Sequence, residues 1–594
     1  MSNPFQLTAA ELQAALKPAL PLFPELDAAR ADLAAMQELP GVRLALAKTE
    51  PLMADIQAIP HTTYTRYRCF LRTGDRDTYE EQYFRKRHCL SAAALRLFLG
   101  RDDLKDLVQD YIWNICEETN WVLPAHERRP IDLFSAETGF LLAETLALLG
   151  PTLDGEVRSR VRTEIERRIF LPYLLHHEVM GWYRGGNNWN GVCNSSIAAT
   201  FLWLEPEGER VAEALAIALA GLDYFLDAAF ESDGSSTEGV GYWQYGLMNF
   251  IALAEMLAAR SGGELDLLGA ERVRRIAAYP ARMLLSGSSF ASFSDCHETV
   301  DFNPGIIARL AARTGEDSLF DLLAKPVEFA DDWRLPMMLR NAFWWDGSQR
   351  DAGQIGDAVL EVGATARLTA RTPAGLPIVL AIKAGHNAEN HNQNDIGSFL
   401  VHVDGENLLT DPGPGLYSRF YFGPQRYENI FANSYGHSVP RIGGQLQGVG
   451  REFAGQLVGV ETAGPHKRVQ IEFARAYPAP NLTSLRRQAT LAAAGEEAGT
   501  VWLEDAFAFA GQPAGVEEAF VTWGEVEVAG GTALIRGERH SLRLTIETPA
   551  GAAFRLERLE EASKANLKPE VLKRLTVALP PAVEIVARVR META

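Results

Sequence analysis

The feature that most constrains this chain is a change of hydrophobic period part-way along it. From about residue 30 to 345 apolar residues recur at three- and four-residue spacing, and after Asp346-Gly347 they alternate. In the first stretch LSAAALRLFLG ends at Gly100 as a C-cap, and SAETGFLLAETLALLG runs from Ser135 as N-cap to a stop at Gly150. RVAEALAIALAGLDYFLDAAF and LMNFIALAEMLAARSGG continue the pattern. Paired amphipathic helices over such a length predict an α/α solenoid or toroid. In the second stretch AVLEVGATARLTAR, IVLAIKAG, RVQIEFARAY and TVWLEDAFAF read as strands, with Asp404-Gly405 a hairpin turn inside FLVHVDGENLLTD. Many antiparallel strands in succession predict a β-sandwich. The expected organisation is α+β and multidomain: a helical extension over 1–30, an α/α toroid over 31–345 and an antiparallel β-sandwich over 346–594. The extension's LTAAELQAALKPAL reads as an amphipathic helix, open either to packing on the toroid or to a homodimer contact.

Composition narrows the function classes. A chain of 594 residues with 47% hydrophobic and 23% charged residues is neither disordered nor of low complexity. Its net charge of -20 argues against a nucleic-acid binder, which needs a basic face. An acidic substrate stays open, because an arginine cluster can sit inside an acidic protein. Five cysteines (Cys69, Cys89, Cys116, Cys193 and Cys296) without CxxC spacing read as reduced thiols. No basic segment followed by an apolar one opens the chain, and the most apolar window, Val211–Phe230, is interrupted by Glu213 and Asp223. A cytoplasmic protein with no membrane partner is expected.

Three polar clusters stand out. In Gly185–Asn194 the asparagines at 187, 188, 190 and 194 flank Trp189. A neutral side chain that both donates and accepts can grip a carboxylate or a sugar hydroxyl, although helix capping also uses it. The Gly-rich loop from Glu231 to Gly246 delivers Tyr242, Trp243 and Tyr245 to a helix start, where aromatic rings can stack on a sugar or simply pack, and a phenol can move a proton. The third cluster runs from Gly385 to Asp395 and is followed by Asp411 and His437. On a strand, His391, Gln393 and Asp395 would share a face, and a His/Asp/His set on adjacent strands could hold a divalent metal, zinc foremost. His297 in FSDCH is a further candidate.

These residues carry a family resemblance. ENHNQNDIGSF, LLTDPG and NSYGHSV, with NNWNGVCN and EGVGYWQYG upstream, resemble the heparinase II/III-like polysaccharide lyases, a group that includes oligoalginate lyases. The resemblance runs in one order from roughly residue 60 to the end. It implies an α/α toroid followed by an antiparallel β-sandwich, with the active site in the cleft between them. It also implies cleavage of uronic-acid-containing glycans by β-elimination, leaving a 4,5-unsaturated uronate. That reaction needs the uronate carboxylate neutralised, a base for the C5 proton and an acid for O4.

On this resemblance Asn188 binds the carboxylate and Tyr242 is the acid/base, with Tyr245 in reserve. Asn390-His391 matches the family's Asn-His pair, His391 acting as second base or carboxylate-neutralising group. A structural metal would fall at Gln393, Asp411 and His437. Relatives often carry histidine at the Gln393 position, so a zinc ion would be held more weakly here. Relatives can also carry a histidine near Asn188; where that histidine serves as a base, this chain would depend on Tyr242 alone for one sugar epimer. No organic cofactor is implied. Asn187, Trp189, Asn190, Glu238, Trp243, Arg184, Tyr417, Arg419 and Arg426 are candidate substrate-binding residues, the arginines because their forks match carboxylates.

The leading expectation is a lyase acting exolytically on short acidic oligosaccharides. A glycoside hydrolase would need a carboxylate pair, for which Asp233 and Glu238 are the best candidates. A non-catalytic glycan-binding protein is the third reading.

Overall fold

Capped helical runs and alternating strands separate in space much as the period change separates them in sequence. A computed structural model describes residues 3–323, 327, 333–349 and 355–594. One compact unit is formed by Met1–Phe230, Tyr242–Ala278 and Asp301–Asp351, the other by Glu231–Gly241, Tyr279–Val300 and Ala352–Ala594. Two short segments embedded in the helical stretch therefore belong to the second unit.

The first unit is built from helices that include Asp77–Phe98, Lys105–Glu117, Leu133–Leu149, Asn188–Leu204 and Glu209–Ala228. Leu133–Leu149 and Asn188–Leu204 pack against one another and are buried on nearly every side. The first of these is capped by Asp132, not by Ser135. Asp132 Oδ1 accepts the Ser135 N–H at 2.8 Å, while Ser135 Oγ accepts the Asp132 N–H at 2.9 Å, a reciprocal capping box. Among the described residues the stretch long and apolar enough to cross a membrane is Leu133–Thr152, not Val211–Phe230. Within its hydropathy window 83% is buried inside the protein, so it serves as a core helix. The N-terminal helix Ala9–Ala15 buries Leu12 and Ala15 and packs on Glu209–Ala228 of the same unit.

Among the described residues the second unit holds antiparallel sheets of nine, five, four and two strands. The five-stranded sheet runs in the order Ala358–Leu360, Thr365–Arg371, Pro377–Lys383, Phe399–Val403 and Glu406–Leu409. Its last two strands are joined by Asp404-Gly405, with φ of 44° and 96°, the two positive values a tight hairpin turn demands. Leu380, Phe399, Ile471, Leu503, Phe520 and Leu575 belong to one continuous apolar core shared by the three larger sheets. All five cysteines are free thiols. The segment between the strands Gly385–Asn387 and Phe399–Val403 is a series of turns, not a strand. The shared strand face expected for His391, Gln393 and Asp395 does not exist.

Candidate active site

In the second unit the turn after Gly385–Asn387 forces His391 into a left-handed conformation, φ 52°, which costs a non-glycine residue energy. Its backbone carbonyl accepts the Asp295 N–H at 3.2 Å, and its ring Nδ1 lies 3.1 Å from Asp295 Oδ2. Asp295, fully buried at its side chain, is the hub of this cluster. Arg426 Nη2 reaches both of its oxygens at 2.8 Å, Tyr421 O–H donates at 2.7 Å, Gln393 Nε2 at 3.1 Å and Tyr417 O–H at 3.3 Å. Burial opposes the Asp295 charge, yet the His391 hydrogen bond and the Arg426 guanidinium outweigh it and hold the carboxyl below its usual range. Burial, and then the Asp295 charge, push the Tyr421 phenol up, so it remains a donor.

An ionised Asp295 fixes the imidazole by accepting from Nδ1–H, which leaves Nε2 with its lone pair. Nε2 faces Glu238 Oε1 at 3.6 Å, and the Tyr417 ring stacks beside His391 with centroids 6.3 Å apart. Asn390 Nδ2 donates to Thr237 Oγ1 at 3.3 Å. The structure thus gathers His391, Asn390, Glu238, Tyr417 and Arg426. It corrects the reading of Arg426, whose charge is engaged by Asp295 and is not left for substrate. Asp295 itself escaped the sequence reading, which picked out His297 from the same FSDCH segment. Arg419 is exposed, with its guanidinium over the Phe420 ring at 5.3 Å.

The expected metal residues separate. Gln393 is tied to Asp295, whereas Asp411 and His437 meet Asp395. The ligand-capable atoms of these last three lie within 4.8 Å of one another, and all three residues are buried. His437 Nδ1 is 2.9 Å from Asp411 Oδ2, and Lys383 Nζ is 2.8 Å from Asp395 Oδ1. His437 Nε2 and Asp395 Oδ2 are buried with no hydrogen-bond partner among the described residues, an arrangement that costs free energy unless something fills it. One imidazole and two carboxylates with orphaned atoms fit a divalent cation, and the oxygen-rich set admits ions harder than zinc.

Asp233, one half of the hydrolase pair, has a structural task. Its Oδ1 accepts from Ser235 N and Oγ, and its Oδ2 from the backbone of Val362 and Gly363 at 2.9 and 3.2 Å. Although burial opposes its charge, these hydrogen bonds hold its carboxyl below the usual range.

In the first unit Asn187 caps the helix Asn188–Leu204 by accepting the Trp189 N–H at 3.2 Å, which sets Asn188 at the first helical position, buried. Gly191 is required there, since a Cβ would meet the Gly246 carbonyl oxygen at 2.7 Å. Asn190 is not a substrate group: it is fully buried, donates to the Gly185 carbonyl at 3.1 Å and accepts from Asn194 at 2.7 Å. Trp189 is half-buried, edge-on to His126 and under the Arg129 guanidinium, while Arg184 is exposed.

Tyr242 is half-buried on the helix Val240–Ser261. Trp243 is not a stacking platform: it is 1% exposed and its indole N–H donates to the Ile276 carbonyl at 2.8 Å. Tyr245 is likewise removed from the reserve role. Its O–H donates to Glu137 at 3.2 Å and Arg334 covers its ring, while burial and the Glu137 charge push its phenol well above the ordinary value.

Comparison with known proteins adds the following. The model of the heparinase II/III-like C-terminal domain matches residues 358–587. No curated protein sequence matches the chain. A crystal structure of heparinase III superposes with a TM-score of 0.62 at 16% identity, covering 87% of this chain and 77% of the other. A mutant heparan sulfate lyase from Pedobacter heparinus gives 0.61 at 13%, covering 92% and 83%. A further heparinase III gene product gives 0.62 at 13%, covering 99% and 93%. These likenesses show the fold, an α/α toroid with an antiparallel β-sandwich.

Proposed function

We propose that this chain is a polysaccharide lyase cleaving uronic-acid-containing glycans by β-elimination, a reading supported by the match of residues 358–587 to the heparinase II/III-like C-terminal domain. The observation that carries this reading is the hold of Asp295 on His391 Nδ1, which presents Nε2 as a proton acceptor. His391 Nε2 takes the C5 proton, the electron pair becomes the C4–C5 double bond, and the C4–O4 bond breaks. Tyr242 protonates the departing O4. On the family resemblance, Asn188 and Asn390 are the donors to the uronate carboxylate that lower the cost of the enolate-like charge. Asp295 keeps its proton count throughout and stabilises the imidazolium formed on His391. A divalent ion held by Asp395, Asp411 and His437 would brace the sandwich and supply no step.

The engagement of Asp233 by four donors counts against the hydrolase pair. Ultraviolet absorbance of the unsaturated product tests the proposal on a panel of alginate, glucuronan and glycosaminoglycan oligosaccharides. A rise is expected on at least one, with kcat reduced by about 10²–10⁴ in both His391→Ala and Tyr242→Phe. Chromatography of early products separates exolytic from internal cleavage. New reducing ends without absorbance would establish hydrolysis, and glycan binding without turnover a non-catalytic protein.

A further inference from the structure

A cavity of about 260 Å³ lies wholly within the second unit, beside the His391 cluster. Its wall includes three neighbours of that cluster: Ser294 precedes Asp295, Glu389 precedes Asn390, and Thr237 accepts from Asn390. Tyr279, Met283, Phe293 and Leu360 give it an apolar side, and Glu231, His386, Glu389 and Arg451 give it a charged one. Lys383, whose shorter bond of 2.8 Å goes to Asp395, also lies 3.3 Å from Glu389. Burial, followed by the Glu389 and Asp233 carboxylates, pushes the Glu231 carboxyl up, so a hydroxyl donor beside it would be welcome. None of these groups has a part in the elimination described above.

A pyranose ring has an apolar C–H face and a rim of hydroxyls that both donate and accept. It is complementary to an apolar wall facing planar carboxylate and guanidinium groups, and mismatched to a purely apolar or purely ionic one. We propose that this cavity is a subsite for one pyranose unit of the glycan, its hydroxyls held by Glu231 and Arg451 and its C–H face against Tyr279 and Phe293. The inference rests on the lyase reading for the identity of the glycan, but not for the binding of a sugar. It gives Glu231 and Arg451 a specificity role, since they select the unit next to the bond being broken without touching the reacting atoms.

The test uses the full-length chain carrying His391→Ala, which cannot turn over, and saturation-transfer NMR with glucuronate, galacturonate or N-acetylglucosamine. At least one monosaccharide is expected to bind, and adding Glu231→Gln or Arg451→Ala is expected to weaken it about tenfold or more, as loss of a charged hydrogen bond does. In the active chain the same substitutions raise KM about tenfold while kcat changes far less, the signature of lost binding without lost chemistry. Val362→Trp, at the exposed rim of the cavity, provides a second variant that blocks entry without disturbing a buried charge. Elimination with KM unchanged in all three variants would overturn the subsite and leave the lyase standing. Monosaccharide binding that these variants abolish, with no elimination on any glycan, would sustain the subsite and overturn the lyase.

Discussion

Asp295 carries more of the site than any residue visible in the sequence. Five side chains converge on it, and through Nδ1 it decides which nitrogen of His391 is available. Asp295→Asn would let the amide donate to Nδ1 and turn the imidazole to the other tautomer, while leaving Arg426 without its carboxylate. The expected result is a fall in kcat of about 10²–10⁴ with a smaller change in KM, and a displaced acid limb of the pH–rate profile. A purely structural Asp295 would lower the melting temperature and leave that limb in place. His391 was legible because it stands in a run of asparagines that packing does not need. Asp295 lies 96 residues earlier, and no spacing rule joins the two. Trp243 and Tyr245 illustrate the reverse case: an aromatic after a Gly-rich loop looks the same in sequence whether its ring ends in a core or in a cleft.

The helices and strands were more legible than the side chains because their periods repeat over many residues. The Asp404-Gly405 hairpin followed from two residues tolerant of positive φ. The helix cap at 132 was missed because Asp132 and Ser135 are both good caps, and only the reciprocal bond shows which one ends the chain's extended run. The turn at 388–396 was misread because alternation of His391, Gln393 and Asp395 imitates a strand, whereas hydrogen bonding to Asp295 and Lys383 dictates the local path. At this scale a buried ion cluster ties the helix Asp77–Phe98 to the end of the helix Lys105–Glu117. Lys86 and Arg87 on the first meet Glu118, just beyond the second, at 2.9 and 2.8 Å, with all three side chains buried. Burial opposes the Glu118 charge, but Arg87 and Lys86 hold its carboxyl below the usual value. The stability it contributes is therefore present above the unfolded carboxylate range and lost as pH falls through the lower folded value. Glu118→Gln leaves two buried cations uncompensated and is expected to cost about 3–5 kcal/mol in urea unfolding at neutral pH. The gap from the parent chain should narrow below about pH 4.

At the scale of the molecule, the period change near residue 346 marks where helices give way to strands, but it does not mark the limits of the compact units. Glu231–Gly241 and Tyr279–Val300 are too short and too irregular to announce in sequence which unit will hold them, and they bring Glu238 and Asp295 to the His391 cluster. The second unit also buries an arrangement whose charge balance calls for a further partner. Lys383 offsets one carboxylate of Asp395 and Asp411, and His437 Nε2 remains buried without an acceptor or donor among the described residues. A divalent ion bound there would stabilise the folded sandwich by about 2.7 kcal/mol when free metal stands at 100 times its dissociation constant. Elemental analysis is expected to find about one equivalent of metal per chain, and chelation should lower the melting temperature until metal is restored. Asp411→Asn and His437→Ala should abolish both the metal content and its thermal effect, whereas Gln393→Ala should leave the metal content intact, because its amide is spoken for by Asp295. Metal content unchanged in the Asp411 and His437 variants would remove the ion from this site and leave the Lys383–Asp395 and His437–Asp411 pairs as the whole of its charge balance.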